Sequence, residues 1–80
     1  MMENDFILEW ELKKIVCKNI KKFRNESCMT QLELSERIGI SHEYIRQLES
    51  ENGQKDFSFY TLYKLSVVLN VPLGDFIGID

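Results

Sequence analysis

The sequence predicts an all-α chain, a compact domain of five short helices with an N-terminally extended first helix and no strands. Three observations lead there. Apolar residues recur at three- and four-residue spacings in successive stretches, the period of a helix with one buried face. Residues that start or stop helices, among them Thr30, Gly39, Ser41, Ser58, Asn70 and Pro72, fall between those stretches. Eighty residues are expected to make one small domain, 1–80, with room for a modest core and not for a second module.

The elements follow in order. Over residues 5–26, Ile15, Val16, Ile20 and Phe23 share a stripe, while Lys14, Lys18, Lys21 and Lys22 fall largely off it. That amphipathic helix is expected to stop near Ser27, with residues 1–14 as its N-terminal extension. Thr30 followed by Glu33 fits the reciprocal capping box, each side chain satisfying a backbone N–H of the other. Leu34 and Ile38 then form an i, i+4 apolar pair, and Gly39 directly after it enters the left-handed region without a Cβ clash and ends the helix. Ile40 returns to the core and Ser41 caps a third helix, on which Ile45 and Leu48 are the apolar pair. Ser35 is small where the two helices cross. Residues 31–50 therefore read as a helix-turn-helix. Residues 51–57 form a loop with Asn52-Gly53 as its turn signal. Ser58 caps a fourth helix running to Leu69, with Phe57 against Leu62 as a hydrophobic staple. Asn70 and Pro72 end it, and a short last helix spans Leu73 to Ile77.

Composition narrows the function classes. No apolar run is long enough for a membrane span, and the opening residues MMENDFILEWELKK mix acids through a short apolar patch unlike a signal peptide, so a cytoplasmic protein is expected. Cys17 and Cys28 lie eleven positions apart, roughly 16 Å at helical rise, beyond the reach of an intramolecular disulfide. One histidine and no Cys/His pair at metal spacing argue against zinc. No Ser/His/Asp set, carboxylate pair or glycine-rich phosphate loop suggests an enzyme, and no cofactor is expected.

The order TQLEL, Gly39, Ser41 with Tyr44-Ile45, then Leu48-Glu49 resembles the Cro/CI repressor-type (XRE family) helix-turn-helix of bacterial and phage regulators. Ile20, Phe23 and Arg24 sit where that family's first helix places its core and arginine, and Leu62, Leu65, Leu69 and Val71 resemble its fourth helix. The resemblance covers roughly residues 15–77 and implies a lambda-repressor-like DNA-binding domain. Two departures stand out. Cys28 replaces a glycine often found before the second helix, so a less tightly turned loop is expected there, and the 51–57 loop is about two residues longer than usual.

In that fold the second helix of the motif enters the major groove, the one wide enough for a helix and distinct for all four base pairs. Its exposed residues here are His42, Glu43, Arg46 and Gln47. The resemblance places His42, Glu43 and Gln47 at base-reading positions, with Arg46 and Tyr44 nearer the flanking backbone. Gln47 suits an adenine edge, Glu43 a cytosine amino group, and Arg46 or His42 a guanine. The ordinary alternative is that all four are solvated helix residues. Phosphate contacts are expected from Gln31, from the loop residues Asn52, Gln54 and Lys55, and from N–H groups near Ser58 to Tyr60. The resemblance also pairs Arg24 with Glu49 in a salt bridge that holds the reading helix in place.

Charge runs against this reading. The chain is −3 overall, and residues 30–55 carry five glutamates against Arg37, Arg46 and Lys55. The first helix region is the basic one. Non-specific phosphate affinity is therefore expected to be weak, with binding resting on direct readout by two copies of the motif at a palindromic operator in double-stranded DNA. Two surfaces compete for the dimer contact: Leu73, Phe76, Ile77 and Ile79, in a region through which family members often pair, and Phe6, Ile7, Leu8 and Trp10, which equally suit a cap folded onto the domain's own core. Tyr60 and Tyr63 are expected to be partly buried packing residues. A homodimeric repressor or autoregulator is the leading expectation. A protein-interaction module with a protein partner, keeping the helix-turn-helix as scaffold, is the other class. A stand-alone repressor, a restriction-modification controller and an antitoxin-like autoregulator share this length and architecture.

Overall fold

In the computed structural model, which describes residues 6–50 and 56–78, the chain forms four α-helices and a closing 3₁₀ helix. They are α1 (Glu9–Glu26), α2 (Gln31–Ile38), α3 (His42–Leu48) and α4 (Phe59–Leu69), followed by the 3₁₀ helix Leu73–Ile77. The fifth expected helix is thus present as a 3₁₀ turn. The first begins at Glu9 rather than near residue 5, with the Leu8 N–H received by the Glu11 carboxylate at 3.3 Å.

Each helix contributes its periodic apolar residues to one core. Val16 and Ile20 of α1, Leu34 and Ile38 of α2, Ile45 and Leu48 of α3, and Leu65 and Leu69 of α4 are buried around Phe76. Phe23 meets Phe76 edge to face, with centroids 5.5 Å apart. Asn19 completes that junction by donating to the carbonyls of Phe76 at 2.7 Å and Gly78 at 3.0 Å, which fixes the last turn against α1. Phe76 is therefore a core residue, a correction to its place among the candidate dimer contacts. Leu73 also packs half-buried against this core, Ile77 is exposed, and Ile79 lies outside the described residues.

The helix ends are written locally. Thr30 Oγ1 accepts from the Glu33 N–H while the Glu33 carboxylate accepts from the Thr30 N–H, closing the capping box. Ser41 and Ser58 cap α3 and α4 by accepting from the N–H groups of Tyr44 and Thr61. At the other ends, Cys28, Gly39 and Asn70 all take positive φ, and the next residue's N–H reaches back to the carbonyl five positions earlier. This is the left-handed helix stop, made three times. Cys28 takes φ +59° without being glycine, so the turn before α2 is as tight as a glycine would make it, a correction to the looser turn expected there.

Candidate functional site

Helix α3 is only seven residues long, too short to be stable by itself, and it is held by what lies behind and beside it. Ile45 and Leu48 are fully buried against the core. Ser35, 3% exposed, lets α2 cross closely, and its hydroxyl donates to the Leu32 carbonyl. Beyond the last turn, Glu49 is locked by Arg24 of α1: Nε donates to one carboxylate oxygen at 2.6 Å and Nη2 to the other at 2.9 Å. Arg24 Nη1 also donates to the Met29 carbonyl at 2.6 Å, and the Gln31 amide donates to Glu49 at 3.0 Å. One buried cluster thus ties α1, the start of α2 and the end of α3 together. With both charges buried and every polar atom paired, its geometry is the kind that a missing partner would turn into a large penalty.

The opposite face of α3 is open. His42, Glu43, Arg46 and Gln47 are all exposed, spaced so that they share the side away from Ile45 and Leu48. Within that face Arg46 forms an ion pair with Glu43, and the Gln47 amide donates to the second Glu43 oxygen at 3.2 Å. The Arg46 guanidinium holds the Glu43 carboxyl below its ordinary value, followed by smaller contributions from Gln47 and His42. Glu43 is therefore an ionised acceptor with a cation beside it, which reduces its repulsion for an anion.

The expected phosphate-binding residues divide. Gln31 stands at the first turn of α2 with its amide bonded to Glu49. Ser58 is the α4 cap, its oxygen engaged by the Thr61 N–H. The Tyr44 hydroxyl donates to the Asp56 carbonyl at 2.6 Å, tying Asp56 to α3, and Lys13 of α1 pairs with the Asp56 carboxylate. Asn52, Gln54 and Lys55 lie outside the described residues. Tyr60 and Tyr63 are not packing residues. They stack on each other with centroids 6.1 Å apart, 64% and 50% exposed.

Two features escaped the sequence. Phe59, Tyr63 and Val67 recur at four-residue spacing on the side of α4 opposite Leu65 and Leu69, and all three are exposed. A wheel drawn on the capped helix would have separated the two faces. The lysines of α1 were visible as a basic segment, but their position beside the end of α3 depends on how the helices cross. Among the described residues no group of His, Cys, Asp and Glu could hold a metal, and no helix is long and apolar enough to cross a membrane.

Comparison with known proteins agrees with this geometry. The family described as Helix-turn-helix matches residues 20–76. Over 61 residues the chain is 34% identical to an uncharacterized HTH-type transcriptional regulator, y4dJ, of Sinorhizobium fredii, a span covering 76% of this chain and 77% of that protein. SinR of Bacillus subtilis, the master regulator for biofilm formation, solved in complex with DNA, superposes with a TM-score of 0.71 at 30% identity, over 79% of this chain and 98% of that one. The clp gene regulator ClgR of Corynebacterium glutamicum superposes with a TM-score of 0.73 at 26% identity, over 81% of this chain and 67% of that one.

Proposed function

The chain belongs to the helix-turn-helix family of DNA-binding transcriptional regulators, of the Cro/CI repressor type, and we propose that it acts as a homodimer that reads a short inverted repeat through α3. One observation carries this reading. His42, Glu43, Arg46 and Gln47 form an exposed polar face on a helix whose other face and far end are immobilised by Ile45, Leu48 and the Arg24–Glu49 pair. A rigid, outward-facing set of donors and acceptors is what base-edge recognition in the major groove requires. Gln47 and Arg46 supply donors for adenine and guanine edges, His42 lies at the end that enters first, and Glu43 accepts from cytosine. Backbone contacts come from Gln31 and the first N–H groups of α2 and α4, with Tyr44 bonded to Asp56 ahead of α4.

A seven-residue reading head spans too few base pairs to define one site, so two copies bind together. The exposed α4 face of Phe59, Tyr63 and Val67, with Ile77, is the apolar surface that suits the pairing. Regulation then depends on concentration and dimerisation in the cytoplasm. Selection of bound sequences from a random duplex pool tests the reading: a two-fold symmetric consensus supports it. Enrichment of no sequence by folded protein contradicts it and favours a scaffold for a protein partner.

A further inference from the structure

A groove of about 370 Å³ runs between α1 and the end of α3. Lys14, Lys18 and Lys21 line one side, Glu49 and Ser50 the other, with buried Cys17 beneath. The groove is cationic for structural reasons. Helix α1 carries six lysines and arginines against Glu9, Glu11 and Glu26. Among the described residues the carboxylate lining the groove is Glu49, already bonded by Arg24 and Gln31. All three lysines are exposed, and Lys14 Nζ rests over the Trp10 ring at 5.8 Å, which limits the freedom it would lose on binding. Ser50 lies two residues beyond the end of α3 and its N–H donates to the Gln47 carbonyl at 3.3 Å, so the groove lies next to the last turn of the helix that carries the exposed polar face.

We propose that Lys14, Lys18 and Lys21 form a track for the sugar-phosphate backbone of the same duplex whose bases α3 reads. The inference rests on the function proposed above and supplies what the acidic motif lacks. Residues 30–50 carry four glutamates against two arginines, so the cations that neutralise phosphate come from the neighbouring helix. Their geometry fits: seven residues of helix advance about 10 Å, and phosphates of one strand advance roughly 3.4 Å each along the duplex. Up to three phosphates lie within the row's length. Such contacts position the protein and carry no sequence information.

The test is a salt titration of binding to a labelled mixed-sequence duplex of about 30 base pairs, followed by fluorescence anisotropy between about 50 and 200 mM salt. The triple variant Lys14→Gln, Lys18→Gln, Lys21→Gln is compared with wild type and with Arg37→Gln, a single charge removed from α2 away from the groove. The expected result is a salt slope shallower by about 2 to 3 for the triple variant, or about 40-fold less affinity lost across that range, with each single lysine change contributing about one unit and Arg37→Gln none. Circular dichroism checks that the variants are folded. A folded triple variant with the wild-type slope overturns the track while leaving base reading by α3 intact, as does an equal per-charge effect from Arg37→Gln. Wild type that binds no duplex overturns both readings together.

Discussion

Single residues decide the positioning of α3 more than bulk composition does. Arg24 is the clearest case. Replacing it with alanine leaves the Glu49 carboxylate buried, with Gln31 as its remaining partner among the described residues, and should cost about 3 to 5 kcal/mol, read by urea or thermal unfolding. The double change Arg24→Met, Glu49→Leu should recover most of that loss, because no isolated charge then remains inside. A second test concerns the left-handed stops. Gly39 has open space around its would-be Cβ, so Gly39→Ala is penalised by its φ of +72° alone, about 1 to 2 kcal/mol. Cys28 already bears that cost, and Cys28→Gly should raise stability by up to about 1 kcal/mol. The pair of substitutions should therefore move the unfolding midpoint in opposite directions. Gly39 was legible as a stop because glycine announces itself. Cys28 was not, since nothing in a cysteine signals a left-handed backbone that only the surrounding turn imposes.

At the scale of the element, the three serine and threonine caps were legible because a cap needs only its neighbours within three residues. The start of α1 was not. Residues 6–8 continue the apolar pattern without joining the helix, and periodicity by itself does not mark where the first turn closes. The caps also give the fold a pH dependence. The Thr30 N–H and hydroxyl hold the Glu33 carboxyl below its ordinary value, and Arg46 does the same for Glu43. A carboxyl whose folded pKa is depressed contributes stability above its unfolded value, and that contribution is lost as pH falls through the folded one. Acid destabilisation is therefore expected to set in below about pH 4.3, the unfolded glutamate value. Glu33→Gln should flatten the stability-against-pH curve there. A curve with the wild-type slope in that variant would show that the capping box carries none of it.

For the whole molecule, the fold was readable because its core is built from periodic pairs, one per helix, that meet around Phe76. What the sequence left open was which apolar residues remain outside, since that depends on how the helices cross. Phe76 looked available and is buried, while Tyr63 looked like packing and is exposed. Sedimentation equilibrium separates the two. Tyr63→Asp or Val67→Asp should shift the protein to monomer while leaving it folded. Phe76→Asp should instead unfold it, by placing a charge in the core. A dimer that survives both α4 changes would move the interface to Phe6 and Trp10. The candidate site was legible as far as the exposed face of α3, because that face is the complement of Ile45 and Leu48. That the α1 lysines lie beside the end of α3 was not, because it depends on another helix. The central claim is that this face reads sequence. The deciding measurement is the ratio of affinities for a selected symmetric site and a scrambled duplex, in wild type and in the Arg46→Ala, Gln47→Ala double variant. A wild-type ratio of about 10³ or more that falls by about 30-fold or more in the variant, at unchanged thermal stability, is the predicted result. A ratio that does not change on removing both side chains would contradict it.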